Sequence, residues 1–475
     1  MAHKRKHAST ARQRSAALAT PKSQYADCLR QALDWFAKTD SFADLRLHGN
    51  VGWKAPQLVT LAVLWAWSDH RTLTGAFTHA CRLALELFGN VAVTTYQGFT
   101  NALRSYTEQL LPQVWLRLHG LMEQSADEHW RVGKWLALAV DGTRVSTPRT
   151  QSNEQAFSIK NYGYGRKAKK RIKWKNKKKR TKKLGEPVKP QIWLTLIWHM
   201  GLKMPWSWKT GPSTAAERNH LREMLETQDF PENTLFCGDA GFVGYDFWTS
   251  IRERGHHFLM RVGGNVHLLR NLAYTRQKNN LVYVWPDAVL RRRQPPLVLR
   301  LLEFQGPRGK VYLVTSILSQ RDLSLKQAQS LYRARWGIEL QFRSYKQIFG
   351  RTKLRSRTAE NALVELSWSL VGLSLLQLFA TKEQIKLDSP PDQSSIALAL
   401  DIIHEAVRNW SCEIPTNREF ARRLGTATKD PYERHGTKKA RYRPPSQDKP
   451  SATKPKIVVA SRAQRQAYQQ VRDAA

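Results

Sequence analysis

Hydrophobic and polar positions in the first third of the chain follow the period of an α-helix. Between residues 25 and 130, apolar residues recur every three or four positions in segments separated by the turn sequences "HGN" and "FGN". This spacing places the apolar residues on one face of each helix, and it predicts an all-helical N-terminal domain over residues 23–130. Segment 88–106 could form a helix-turn-helix for DNA binding, although an ordinary bundle helix explains it more simply.

The pattern changes to that of β-strands near residue 135. The segments "WLALAVDGTRV" (135–145), "QIWLTLIWHM" (191–200), "TLFCGDAGFVG" (234–244) and "HHFLMRVGGN" (256–265) are apolar runs of strand length. A helical segment with a capping residue, 213–228, lies between the second and the third. Strands and helices in this order predict a mixed α/β fold, in which helices flank a sheet.

The remaining patterns divide the second half of the chain. Apolar and polar residues alternate over 267–318, which predicts an inserted β-rich subdomain. Helical periodicity then returns, and the last segment is rich in Pro, Lys, Arg and Ser, a composition typical of disorder. The predicted order is a basic flexible N-terminus (1–22), a helical domain (23–130), an α/β core in two parts (131–266 and 319–384) around the inserted β subdomain (267–318), a C-terminal helical region (385–425) and a basic disordered tail (426–475).

Composition favours a globular protein without a membrane anchor. The chain has 475 residues and a hydrophobic fraction of 41%, enough for a sizeable core. Its longest apolar runs, 58–67 and 366–380, are shorter than the ~20 residues that span a bilayer, so we expect buried helices there. The four cysteines form no C-x-x-C pair, which argues against zinc and against a disulfide framework. Because no secretory signal is recognised, a cytoplasmic location is expected.

Net charge points to the class of partner. Lys and Arg number 77 and Asp and Glu number 38, which leaves a formal net charge of +39. Such an excess repels itself unless a polyanion meets it. Nucleic acid is the leading partner, because Lys and Arg supply most of the sequence-independent affinity for phosphates.

A basic arm, residues 166–183, concentrates this charge. It contains thirteen Lys or Arg among eighteen residues and lies between two predicted strands. We therefore expect a projecting loop whose lysines, including Lys170, Lys173 and Lys178, contact the phosphate backbone. The alternatives are a solvated charge run that only increases solubility, or a nuclear-localisation sequence in a eukaryote.

Segment 331–350, "LYRARWGIELQFRSYKQIFG", places one carboxylate among cations. On a helical wheel with 100° per residue, Tyr332, Arg335, Glu339 and Lys346 fall within about 60° of one another, and Arg343 joins that face. Apolar residues border the face on both sides, as in the floor of a cleft. Glu339 could instead form ordinary i,i+4 ion pairs with Arg335 and Arg343, which contribute ~0.3–0.5 kcal/mol each on an exposed helix.

Two aspartates give Glu339 possible partners. Asp141 and Asp239 are each predicted to end an apolar strand beside a glycine, where open α/β sheets bind ligands. Either could be an ordinary turn-capping residue. Together with Glu339, however, they could hold two divalent cations ~3.5–4 Å apart, an arrangement suited to phosphodiester chemistry.

The residues of this face carry a resemblance. Tyr332, Arg335, Glu339 and Lys346 reproduce the Y-x2-R-x3-E-x6-K signature, and the chain thereby resembles bacterial insertion-sequence transposases of the IS-four type, in the DDE class. Asp141 in "AVDGT" and Asp239 in "GDAGF" look like the first two acids of that family. The resemblance implies a ribonuclease-H-like fold, two Mg²⁺ or Mn²⁺ ions, and cut-and-paste transposition. Cleavage at the transposon ends, for which a hairpin intermediate is one route, would precede strand transfer within a synaptic homodimer associated with the nucleoid.

The resemblance also implies DNA contacts. Tyr332, Arg335 and Lys346 would contact DNA near the cleaved end, and Arg261 is similar to a DNA-contacting arginine of the family. Arg343, on the same helix face, is also expected to bind DNA. The α/β core (131–266 and 319–384) would be catalytic, and the helical domain (23–130) would bind DNA. The family's base-stacking tryptophan, late in the inserted sheet, is replaced here by Val311, and Trp285 is the candidate substitute.

Two other functions compete with an active transposase. An inactive or domesticated descendant would bind DNA without cleaving it, although the presence of all three acids argues against this. A ribonuclease-H-like nuclease would act on branched DNA or on RNA.

Overall fold

The structure is a computed structural model. It describes residues 23–38, 40–49, 51–89, 91, 93–158, 189–273, 280–306, 309–414, 417–430 and 453–473. The predicted flexible N-terminus and the basic arm with Lys170, Lys173 and Lys178 lie outside these residues.

The N-terminal region is helical. Threonine side chains begin two of its helices: the hydroxyl of Thr72 accepts a hydrogen bond from the Gly75 amide, and that of Thr95 accepts one from the Gly98 amide. Gly89, with φ of 72°, ends the third helix in the left-handed conformation that glycine adopts without strain. The helices are α1 (Tyr25–Phe36), α2 (Ala55–Trp67), α3 (Leu73–Phe88) and α4 (Tyr96–Ala126).

The described residues next form a mixed sheet of ten strands, which confirms the predicted α/β class. One half has the order β4-β3-β2-β5-β6, in which β2, β3 and β4 are antiparallel neighbours while β5 and β6 run parallel to β2. These strands are β2 (Leu136–Ser146), β3 (Gln191–His199), β4 (Met204–Gly211), β5 (Thr234–Gly238) and β6 (His257–Val262). Short helices α5 (Gln151–Phe157), α6 (Glu217–Thr227) and α7 (Tyr245–Glu253) connect them. A two-residue strand, β1 (Ser23–Gln24), pairs separately with β11 (Glu413–Ile414).

The predicted β-rich insertion extends the same sheet. Its strand β10 (Gly309–Thr315) pairs antiparallel with β6, and β9, β8 and β7 continue outward from it. The core and the insertion therefore form one continuous sheet. The elements are β7 (His267–Arg270), β8 (Leu281–Val284), α8 (Asp287–Arg291) and β9 (Leu297–Gly306).

The prediction of a disordered tail is wrong for residues 453–473. Strand β12 (Lys456–Val459) pairs in parallel with β7 and becomes the edge of the sheet. The last helix (Arg462–Asp473) places Tyr468 against the rings of Tyr283 and Trp285. The local composition favours disorder, but the edge of β7 offers unpaired backbone groups that a short β-branched segment can bind.

Helix α11 (Ala359–Ile385) lies at the centre of the molecule. It is long and apolar enough to cross a membrane, but 94% of its most apolar window is buried inside the protein, as the sequence predicts. Its Trp368 donates a hydrogen bond to Thr107 of α4, and Trp67 of α2 donates one to the Gly372 carbonyl. The N-terminal helices therefore share one hydrophobic core with the sheet region. Helices α12 (Ile396–Arg408) and α13 (Asn417–Gly425) both pack against α11.

The single helix predicted for residues 331–350 is divided in three. It consists of α9 (Leu325–Ala334), α10 (Gly337–Arg343) and a π-helical turn (Ser344–Ile348). A side chain at Gly337 would overlap the ring of Trp198 on β3, so this glycine lets the backbone lie directly on the indole. Packing against the sheet therefore explains the interruption of the helix. A helical wheel assumes a regular helix and does not take such packing into account.

Candidate active site

Asp141 and Asp239 lie on neighbouring parallel strands. Asp141 is inside β2, so the prediction that it ends its strand is wrong: β2 continues to Ser146 by pairing with β3. The partner strand β5 stops at Gly238, directly before Asp239. Ala139 of β2 is paired with Cys237 of β5. Asp141 and Asp239 each follow two residues later in these parallel chains, so they lie at the same level. Neighbouring strands are ~4.8 Å apart, so the two aspartates are adjacent.

A glycine amide orients each aspartate. The amide of Gly142 donates to Oδ1 of Asp141 at 2.8 Å, and the amide of Gly241 donates to Oδ1 of Asp239 at 2.7 Å. Hydrogen bonds from backbone N–H groups stabilise the ionised form of a carboxylate.

Arg335 joins Glu339 to Asp141. One guanidinium nitrogen lies 3.6 Å from Oδ2 of Asp141, and another lies 3.4 Å from Oε1 of Glu339. The arginine side chain is only 10% exposed. The i,i+4 ion pair considered from the sequence is therefore present with Arg335, but Arg335 also connects Glu339 to the β2 aspartate, which a surface pair would not do.

Two other residues of the signature lie on the same side. The Arg335 guanidinium is 5.9 Å from the centre of the Tyr332 ring. Lys346, on the π-helical turn, donates a hydrogen bond at 2.6 Å to the hydroxyl of Thr143, two residues beyond Asp141 on β2. Arg335 and Lys346 thus contact β2, Glu339 is paired with Arg335, and Tyr332 lies beside Arg335 on the side of Phe304 in the insertion.

The other predicted contacts are placed differently. Arg343 is exposed, donates to Gln347, and lines a cavity together with Trp336 and Leu340 rather than the acidic site. Arg261 is half-buried on β6, one residue beyond the pairing of Gly238 with Met260, and so lies beside the strand end that precedes Asp239.

Trp285 is not available for stacking on a base. It is 4% exposed, and its indole N–H donates to the Gln294 carbonyl. The interpretation of Trp285 as the substitute is therefore wrong, because the last helix covers the ring with Tyr468.

A fourth acid, Glu217, was missed in the sequence. It is the first residue of α6. The helix dipole favours acidic residues at that position, so the local sequence does not distinguish Glu217 from an ordinary helix-start residue. A Cβ atom added at Gly142 would lie 2.7 Å from Oε1 of Glu217, and one added at Gly241 would lie 3.9 Å from Oε2. The Glu217 carboxylate is therefore beside the backbone that carries Asp141 and Asp239.

Crowding of negative charge is visible in the pKa values. The pKa of Asp141 is raised to about 6, mainly because the side chain is buried and also because Asp239 and Glu339 are near, although Gly142 and Arg335 oppose the shift. The pKa of Glu217 is raised to about 7 by burial and by the charges of Asp141 and Asp239. Burial and like charges both disfavour the ionised form.

The donor chemistry fits a hard divalent cation. Carboxylate oxygens are the ligands that Mg²⁺ and Mn²⁺ prefer, and a cation would relieve the repulsion among these acids. Over the described ranges, no three His, Cys, Asp or Glu side chains already enclose a position for a metal ion. Instead, Arg335 contacts both Asp141 and Glu339.

Comparisons with known proteins identify relatives. Transposase InsG for insertion sequence element IS4, from Escherichia coli strain K12, is 25% identical over 315 residues, which are 62% of this chain and 65% of that relative. The chain thus spans slightly less than two thirds of the relative. A cryo-EM structure of the piggyBac transposase synaptic complex with hairpin DNA aligns over 88% of this chain and 90% of that one, with 11% identity and a TM-score of 0.36. That score is too low to support a conclusion.

A family model gives the stronger match. The model described as "Transposase DDE domain" matches residues 135–375, about half of the chain. The matched region includes Asp141, Asp239 and Glu339, as well as Glu217. On this match, the chain belongs to the transposase DDE domain family.

Proposed function

We propose that the chain is a DNA transposase that cleaves DNA at transposon ends and transfers the freed strands to target DNA. The observation that carries the proposal is the grouping of the acids: Asp141 and Asp239 are level on adjacent strands, and Arg335 links Glu339 to Asp141. Membership of the family supports the same conclusion.

The finer fold assignment is part of this proposal. Three antiparallel strands followed by two parallel ones, in the order β4-β3-β2-β5-β6, support a ribonuclease-H-like core. The β-rich insertion between Asp239 and Glu339 agrees with the arrangement that the resemblance implies.

Asp141, Asp239 and Glu339 would hold two Mg²⁺ or Mn²⁺ ions. When bound, such ions activate a water or 3′-hydroxyl nucleophile and stabilise the leaving oxygen. The carboxylates must be ionised to bind them, and a pKa of about 6 leaves Asp141 mostly ionised at neutral pH. Arg335 would exchange its carboxylate contacts for a phosphate, which its planar guanidinium can bind through two hydrogen bonds.

We assign the DNA contacts to the surface around these acids. Tyr332, Arg335 and Lys346 are closest to them, and Arg261 lies beside the Asp239 end of the sheet. Arg343 would bind more distant phosphates, as would Lys170, Lys173 and Lys178 of the basic arm. The N-terminal helices would bind the terminal repeats within a synaptic homodimer associated with the nucleoid.

Cleavage of a duplex that carries the terminal repeats flanking the gene tests the proposal. The full chain should nick these ends in Mg²⁺, whereas Glu339→Gln should lose nearly all cleavage and retain most DNA binding. Glu360→Gln, a change at an exposed acid on α11, is the matched control and should cleave normally.

Three results would contradict this function. Full cleavage by Glu339→Gln would show that Glu339 is not needed for the reaction. Binding of the repeats without any cleavage by the unmodified chain would indicate a domesticated descendant. Cleavage of branched DNA or RNA irrespective of the repeats would indicate a nuclease.

A further inference from the structure

Glu217 approaches the acidic site through a gap left by a glycine. Its carboxylate lies where a side chain at position 142 would be, with Oε1 at 2.7 Å and Cδ at 2.8 Å from the site of an added Cβ. Only glycine at position 142 lets this carboxylate come so close to β2 next to Asp141.

The same carboxylate also faces Asp239. The site of a Cβ at Gly241 lies 3.0 Å from Oδ1 of Asp239 and 3.9 Å from Oε2 of Glu217. One small volume is therefore bordered by oxygens from both acids. Because Asp141 is level with Asp239, three carboxylates from β2, the end of β5 and α6 converge at this edge of the sheet.

Glu217 has no positive partner among the described residues. It forms no hydrogen bond or ion pair there, whereas Glu223 on the same helix pairs with Lys209 at 2.7 Å. The charges that act on Glu217 are those of Asp141 and Asp239, which are also negative. Arg335 supplies positive charge on the Glu339 side of Asp141. On the Asp239 side, a half-buried carboxylate faces two others, and none of the described residues supplies a cation there, which is unfavourable unless a cation binds.

We propose that Glu217 is a fourth carboxylate ligand of the divalent-cation site, on the side of Asp141 and Asp239. This inference rests on the proposed two-metal function and deepens it, because it adds a residue outside the three acids of the signature. The cation is of the hard class, Mg²⁺ or Mn²⁺, for which carboxylate oxygens are the preferred ligands.

Titration of the purified full chain with Mn²⁺ in a calorimeter tests the proposal without any need for activity. Glu217→Gln should weaken Mn²⁺ binding at least ~10-fold. Losses of that size are already usual when a residue that only hydrogen-bonds to a metal ligand is replaced. Glu226→Gln makes the same change at an exposed position of the same helix and should bind Mn²⁺ like the unmodified chain. Because the Glu217 side chain has no partner among the described residues, Glu217→Gln should fold normally, which circular dichroism checks.

A second variant should displace the Glu217 carboxylate without changing its charge. Gly142→Ala should displace the carboxylate and also weaken Mn²⁺ binding, whereas Gly52→Ala, at a position with nothing within 4 Å of the added Cβ, should not. In a Glu217→Ala background the atoms that the new Cβ meets are gone, so Gly142→Ala should weaken binding no further. An undiminished effect of Gly142→Ala in that background would show that Gly142 acts through Asp141 instead.

Asp141→Asn and Asp239→Asn separate this inference from the function on which it rests. If both weaken Mn²⁺ binding and Glu217→Gln does not, the fourth ligand is wrong and the proposed function stands. If Glu217→Gln alone weakens binding, its cation is not shared with the aspartates, and the proposal is also overturned. If none of the three variants changes binding, the two-metal function fails as well.

Discussion

The surroundings of Glu217 disfavour the ionised form of its carboxyl group. Its pKa is raised from 4.5 to about 7, because the side chain is partly buried and faces Asp141 and Asp239. The folded state therefore holds the proton more tightly than the unfolded state does. This contribution to stability is fully present below about pH 4.5 and is lost as the pH rises through about 7.

Replacing Glu217 by Gln should remove this pH dependence. In EDTA, the thermal midpoints of Glu217→Gln and of the unmodified chain should be similar near pH 4.5. As the pH rises towards 8, the variant should become the more stable of the two, because its side chain does not ionise. Thermal denaturation at several pH values measures the difference. Glu226→Gln should show no such trend, and a difference for Glu217→Gln that stays constant with pH would contradict the expected direction.

Among the secondary-structure elements, close contacts between helices and the sheet position the acids. The turn between α9 and α10 lies on Trp198 of β3 because residue 337 is a glycine, and the π-helical turn brings Lys346 to Thr143 of β2. The first contact holds the start of α10 on β3, and the second holds the following turn on β2, the strand that carries Asp141. Correct placement of Glu339 therefore depends on packing several residues away from it.

Gly337→Ala tests this dependence. The new methyl group would overlap the Trp198 ring, so the free energy of unfolding should fall by about 1–3 kcal/mol, as for other overpacked sites. Gly120→Ala in α4, where an added Cβ has nothing within 4 Å, should instead raise it by about 0.5–1 kcal/mol. Urea denaturation of both variants gives the comparison. A neutral Gly337→Ala would show that the turn can move away from Trp198 without cost.

In the molecule as a whole, a shared hydrophobic core and a large excess of positive charge are the main features. One hydrophobic core joins the N-terminal helices to the sheet through α11, so these parts are held in a fixed relation. The net charge of +39 is the excess of cations that the acids of the chain do not balance, and it is available for a polyanion.

The basic arm should dominate the salt dependence of DNA binding. Removing one phosphate contact should reduce the slope of log affinity against log salt by about 0.9. Replacing Lys170, Lys173 and Lys178 together by Gln should therefore flatten the slope, as measured by fluorescence anisotropy on duplex DNA. The same change in charge at Lys54, Lys326 and Lys386, which are exposed elsewhere, should have a smaller effect. Equal effects would indicate that only net charge matters.

Local patterns in the sequence were sufficient to predict the elements and much of the chemistry. Periods of 3.6 and 2 residues predicted the N-terminal helices, the mixed sheet and the buried helix α11, since these patterns involve residues close in the chain. The spacing of Tyr332, Arg335, Glu339 and Lys346 indicated the family, and the family match covers all three proposed acids.

Which carboxylates meet depends instead on the packing of distant segments. The register of β2 against β5 brings Asp141 beside Asp239, and the gap at Gly142 admits Glu217 from a different helix. The edge of β7 orders the tail, whose composition predicts disorder. These outcomes depend on contacts between residues far apart in the chain, and no local pattern of apolar and polar positions contains them.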